Sequence, residues 1–182
     1  MDIPGRVLLD TNIVNFILDW GEAIHDGGEI PAQVSDRDAE DILALRDIWL
    51  TGQRASWQFA VSPRTYHEIA ATTDPARRAA LEGWFGELWL YWREFFEQYQ
   101  LSDFDADSLA RRLVPSEILA VLPDRSDREL LAHAIAYECD AMCTRDRKTI
   151  LRHRDKLKLV PVRVFTPTEW WAAISKYAGL WV

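Results

Sequence analysis

The stretch Arg6-Val7-Leu8-Leu9, followed at once by Asp10-Thr11-Asn12, constrains the fold more than any other part of the chain. Three aliphatic residues in a row, with no polar alternation, read as a short strand buried on both faces. Asp10 stands where that strand stops, and Thr11 or Asn12 can cap the helix that follows. In open α/β sheets, ligands bind outside the carboxyl ends of the strands. A carboxylate placed there loses hydration unless something pairs with it, and a cation is the obvious partner.

The rest of the chain repeats this alternation. A helix is expected over 13–20, and residues 21–34, rich in Gly and acids, read as a loop. Ser35, with Asp38 three residues on, starts a helix over 35–50 that ends near Gly52. Residues 57–61 form a second strand. Ser62-Pro63 supplies a cap and a proline at the first helical position, and the helix that follows carries Glu68. Asp74-Pro75 starts a long helix to about residue 99, and a shorter one over 105–113 is closed by Pro115. Ser126 caps the next helix with Glu129 completing a capping box, and Leu130, Leu131, Ala134 and Ile135 are its buried stripe. Residues 141–144 and 162–165 are two more strands, and Thr166-Pro167-Thr168-Glu169 opens the last helix. Short strands alternating with longer helices imply an α/β fold: a three-layer α/β/α sandwich with a central parallel sheet of four to five strands.

A length of 182 residues suits one domain over 1–182, with an acidic insertion near 21–50 and an aromatic-rich helical region near 75–113. The chain is 48% hydrophobic and holds nine Trp, enough for a large core. A net charge of −8 argues against a non-specific nucleic-acid coat protein, although only the local charge at a site matters to phosphate. Cys139 and Cys143 match neither a zinc knuckle nor a redox pair, which suits a reducing compartment. There is no basic segment followed by an apolar one at the amino end, and no run of membrane-spanning length. A cytoplasmic location without membrane contact is expected.

Asp10 is one of four acids in telling contexts. Glu68 lies on the helix after strand two, Asp127 opens the helix before strand three, and Asp146 follows strand three in Thr144-Arg145-Asp146. All four can meet at one edge of the sheet. Carboxylates crowded together repel, and some take up protons unless cations intervene. Mg²⁺ or Mn²⁺ removes that conflict, because hard cations take oxygen ligands and retain waters. Such a site activates water and clamps phosphate. Each acid also has a plainer reading: Asp10 as a helix cap, Asp127 as a first-turn acid favoured by the helix dipole, Glu68 as solvated surface, Asp146 as a partner of Arg145 or Arg147.

Val7-Leu8-Leu9-Asp10-Thr11-Asn12, with Glu68, the segment from Asp127 to Ala134 and Thr144-Arg145-Asp146, resembles the PIN domain, and within it the ribonuclease toxins of toxin–antitoxin pairs. The resemblance follows the chain in order over nearly its whole length. It implies an RNA substrate, an antitoxin protein as partner, and Asp10, Glu68, Asp127 and Asp146 as metal-binding, catalytic acids. It also implies that Thr11, Asn12 and Thr144 orient carboxylates or phosphate. Asp124 is a second candidate for the third ligand, but the distances from Asp127 to Ala134 and Asp146 fit the family pattern better. The chain is longer and more acidic than the compact toxins.

Charge is unevenly spread. From Asp19 to Asp47 there are nine acids against Arg37 and Arg46, read as a solvated face or a lid over the site. From Arg145 to Lys158 there are seven Lys or Arg against Asp146 and Asp155. Arg145, Arg147 and Lys148 in particular, with Arg152 and Arg154, can track a phosphate backbone, the alternative being a solvated surface. Phe85, Leu88, Trp89, Trp92, Phe96 and Tyr99 recur at helical spacing, widened by Trp84, Tyr91 and Phe95. That breadth suits core packing, with room for a homodimer contact or a partner helix. His67, beside Glu68, reads as a surface histidine. Two other functions compete with a metal-dependent endoribonuclease. One is a catalytically silent RNA- or protein-binding module on the same fold. The other is a phosphatase with Asp10 as nucleophile, which wants an acid where Asn12 stands. A nucleotide-binding Rossmann domain fails for lack of a glycine-rich turn after strand one.

Overall fold

Four short strands lie parallel in one sheet: β1 (Arg6–Leu9), β2 (Gln58–Ala60), β3 (Ala141–Cys143) and β4 (Arg163–Phe165), in the order β2-β1-β3-β4. The computed structural model describes residues 3–55, 57–98 and 103–181, with side chains throughout these except 95–98, 103–104 and 180–181. Leu8 of β1 pairs with Ala60 on one side and Met142 on the other. Val7 and Leu9 point into one core with Ile17, Ile42, Leu45 and Trp170, whereas Leu8 points into another with Ala60, Met142, Leu131 and Trp92. That alternation explains why every residue of the run is aliphatic: helices cover both faces, which is the α/β/α three-layer arrangement.

The connections run in opposite directions across the sheet, first from β1 to β2 and then back past β1 to β3. α1 (Thr11–Asp19), α2 (Gly21–His25) and α3 (Asp36–Ala55) carry the chain to β2. α4 (Pro63–Ala70), α5 (Pro75–Gln98), α6 (Asp103–Leu113) and α7 (Arg125–Ala136) then bring it back past β1 to β3. α8 (Ile150–His153) and a 3-10 turn at Arg154–Lys156 lead to β4, and α9 (Pro167–Ile174) follows, with its Thr166–Glu169 capping box formed. The strand order therefore reverses between β1 and β3, and a crevice opens at their carboxyl ends.

Three local expectations are corrected. The segment read as a loop over 21–34 contains α2, because Ala23 and Ile24 are buried and their packing outweighs the flanking Gly and acids. α3 runs past Gly52 to Ala55. Gly52 is buried in the helix because a Cβ there would lie 3.3 Å from both the Phe59 and Trp57 rings. α7 is capped by Asp124, not Ser126: the Asp124 carboxylate accepts the Ser126 amide at 2.8 Å and the Ser126 hydroxyl at 2.7 Å. This takes up Asp124 and leaves Asp127 as the acid inside the helix.

On α5, Leu81, Phe85, Leu88 and Trp92 are buried, and Trp84 and Trp89 pack partly against the cores. Leu90 and Tyr91 are exposed. Trp170 is buried and Trp171 partly so. The side chains of Phe95, Phe96 and Trp181, and all of Tyr99, lie outside the described residues. Among the described residues no helix is long and apolar enough to cross a membrane.

Candidate active site

Asp10 leaves β1 with its amide donating to the Cys143 carbonyl at 3.1 Å, which extends the β1–β3 ladder by one residue. It occupies the N-cap position of α1 yet makes no side-chain cap bond. The carboxylate is instead 3% exposed and turned toward the crevice, where its Oδ2 accepts the Thr144 hydroxyl and the Asn12 side-chain amide, each at 2.5 Å. Asp10 is thus the cap of α1 by position and backbone, while its side chain serves the crevice and not the helix.

Asp10, Thr11, Asn12, Asn15, Glu68, Asp127, Leu130 and Asp146 line one cleft of about 250 Å³. Its acids come from four separate parts of the chain. Asp10 follows β1, Glu68 sits on α4, Asp127 is in the first turn of α7 and Asp146 follows β3. α7 leads into β3, so its amino end lies at the edge where the strands finish. Topology thus brings all four predicted acids together.

The four are not equivalent. Burial pushes the Asp10 carboxyl up to about 7, against the lowering effect of the Thr144 hydroxyl, and the negative charges of Glu68 and Asp127 add to the rise. Asp127 is also raised, first by burial, with Asp146, Asp124 and Glu68 contributing and the Thr149 hydroxyl opposing. Its Oδ2 is buried without a hydrogen-bond partner. For Asp146, burial acts upward but is outweighed by hydrogen bonds. Its carboxylate accepts the Lys148 amide at 2.8 Å, the Thr149 amide at 3.0 Å and the Thr149 hydroxyl, so it is held below the usual range. Glu68 accepts the Arg64 guanidinium at 2.8 Å.

Thr144 joins two of the acids. Its hydroxyl donates to Asp10 and accepts the Asp146 amide at 2.9 Å. Asn12 adds a second link: its amide nitrogen reaches Asp10, and its Oδ1 accepts the Arg145 amide at 2.8 Å. Thr11 contributes a backbone amide that acts to lower the Asp10 carboxyl, and a buried hydroxyl with no partner.

The basic residues part company. The Arg145 guanidinium donates to Asp41 at 2.9 Å, pairs with Asp38, and lies 3.7 Å over the Phe16 ring. It is thus held by α3. Arg147 and Lys148 are exposed. The acidic segment, read as a solvated face or lid, supplies two of its acids as a clasp on Arg145.

Several residues of the site escaped the sequence reading. Asn15 lines the cleft one helical turn after Thr11, with a buried, unpartnered Oδ1. Its i, i+4 spacing from Thr11 on α1 was a usable signal. Thr149, three residues after Asp146, was legible as a turn partner. Arg64 was legible too, since it stands one helical turn before Glu68 on α4. Asp41 carried no local signal, because its partner Arg145 is 104 residues away and is brought to it by packing.

The donor set has the chemistry of a hard-cation site. It is all oxygen, it crowds acids, and it leaves the Asp127, Asn15 and Thr11 oxygens unsatisfied. Among the described residues no group of three or more His, Cys, Asp or Glu is drawn together closely enough to hold an ion. Both observations apply to the same cleft: it offers donors of the right type, not yet gathered around a centre. No protein family's profile matches the chain, and neither the curated proteins nor the solved structures contain a significant match.

Proposed function

We propose that the protein is a divalent-metal-dependent endoribonuclease of PIN type that acts as the toxin of a toxin–antitoxin pair. The observation that carries the nuclease reading is the convergence of Asp10, Glu68, Asp127 and Asp146 on one cleft at the β1/β3 crevice. The PIN assignment and the toxin role rest on the sequence resemblance. RNA is the substrate, and a cognate antitoxin is the partner.

Asp10, Asp127 and Asp146 would hold Mg²⁺ or Mn²⁺, with Glu68 at the margin because Arg64 already engages it. When bound, the cation supplies the positive charge that makes water acidic and offsets charge developing on phosphate. The protein groups do the positioning. Thr144 and Asn12 fix the face that Asp10 presents, as outer-shell donors do for metal-binding carboxylates. The amides of Lys148 and Thr149 keep Asp146 ionised. Asp10, raised to about 7 by burial, would give up its proton to water or buffer on holding a cation.

One observation favours the second reading, a binding module without catalysis: no three acids stand gathered as a ligand set among the described residues. A cleavage assay on a mixed RNA pool separates the two. The nuclease reading expects cutting with Mn²⁺, none in excess chelator, and none by folded Asp10→Asn or Asp146→Asn. Equal cutting in chelator refutes the metal mechanism, and RNA binding without any cutting moves the assignment to the silent module.

A further inference from the structure

We infer that a polynucleotide backbone reaches the acid cleft along a second, larger cleft in which Arg37, Arg147 and Lys148 contact its phosphates, Arg37 being contributed by the acidic region. The inference rests on the nuclease reading above and names how that site takes its substrate.

The second cleft has a volume of about 800 Å³ and shares Asn12 and Asp146 with the acid cleft, so the two are continuous. One set of lining residues comes from the start of α3, namely Ser35, Arg37, Asp38 and Asp41. The other is the run Arg145 to Lys148 after β3. Four cations and three acids therefore line it, and these charges are not equivalent. Arg145 is taken by Asp38 and Asp41, a hydrogen-bonded group half-buried over Phe16. Asp146 belongs to the acid cleft. Arg37, Arg147 and Lys148 remain, all three exposed. Arg37 and Arg147 make no side-chain hydrogen bond or ion pair among the described residues.

This is a local excess of positive charge on a protein whose net charge is −8. A polyanion is repelled by most of such a surface, so the field favours its approach at this cleft, which shares Asp146 with the acid site. Arg145 has a different part. By tying α3 to the loop after β3, its clasp sets the spacing between Arg37 and the pair Arg147 and Lys148.

The test uses full-length Asp10→Asn protein, expected to bind without cutting, and a labelled single-stranded RNA oligonucleotide titrated over a range of KCl concentrations. Each phosphate contact on a single strand contributes about 0.7 to the slope of log affinity against log salt. Arg37→Ala added to that background is expected to shallow the slope by about 0.7 and to weaken binding several-fold at low salt, while Arg37→Lys keeps the slope. Arg111→Ala, in a separate cleft with Arg125 and Arg128, is the control and leaves the slope unchanged. RNA binding with a slope unmoved by Arg37→Ala, or moved equally by Arg111→Ala, overturns the track and leaves the nuclease reading standing. No binding of RNA by either the Asp10→Asn or the wild-type protein overturns the reading and the track together.

Discussion

The Thr144 hydroxyl donates to Oδ2 of Asp10 across 2.5 Å and 134 residues of sequence. It joins the ends of the two central strands and holds a buried carboxylate that burial alone would drive further toward its neutral form. Thr144→Val keeps the shape of the side chain and removes the donor. RNA cleavage is expected to fall at least about tenfold, the usual effect of losing an outer-shell partner of a metal ligand. Asp10 should also titrate higher, measured by following the pH dependence of Mn²⁺ binding. Unchanged cleavage would show that Thr144 only packs.

Asp10 makes the metal-free protein less stable as pH rises. Its carboxyl titrates near 7 in the folded state, above its ordinary 3.8. With a folded value raised, the group is neutral in both states below about 4 and contributes no penalty there. The penalty grows as pH rises through 3.8 and is complete above about 7, with an upper bound of roughly 4 kcal/mol. Asp10→Asn is therefore expected to unfold at a higher temperature than wild type at pH 8 in chelator and to match it near pH 4. Equal melting curves at pH 8 would mean that Asp10 is not an ionised, desolvated group.

Cation binding should release protons near neutrality. At pH 6.5 a large share of Asp10 carboxyls carry a proton that a divalent ion displaces, and at pH 8 few do. Calorimetric titration with Mn²⁺ in buffers of different ionisation enthalpy reads this directly. Proton release that declines from pH 6.5 to pH 8 is the expected result. Asp146→Asn, whose carboxylate is already ionised throughout this range, should weaken Mn²⁺ binding without abolishing the release.

The clasp of α3 on Arg145 should be measurable as stability. Asp41 is 2% exposed, its Oδ2 accepts Arg145 at 2.9 Å, and its Oδ1 has no partner. Asp41→Asn removes the charge facing a half-buried guanidinium and is expected to cost about 2 kcal/mol in urea denaturation, below the range for a fully buried pair because Arg145 retains contact with solvent and with Asp38. Arg145→Ala in the same background should add less than its effect alone, since the two share one interaction. Additive losses would show that they act independently.

Strand and helix types were readable along the chain because they depend on neighbours. An unbroken aliphatic run, a cap followed by proline, and the Thr166–Glu169 box each act within one turn or one strand. The same locality explains the errors. α2 forms on the burial of Ala23 and Ile24, and α3 passes through Gly52 because two rings from β2 and its approach lie against it. Asp124 took the cap from Ser126 by a side-chain contact that both residues could have offered.

The four acids could be nominated from their positions beside strands, since a carboxylate at the end of a buried run needs a partner. Their convergence on one cleft is a product of sheet order, in which β1 lies between β2 and β3. The fate of the basic residues was not legible. Arg145 and Arg147 look alike in sequence, yet one is clasped by Asp41, 104 residues away, and the other is left in solvent. Charge is a property of the residue, but whether that charge is spent on the fold or free for a ligand depends on which distant acid packing brings within about 3 Å.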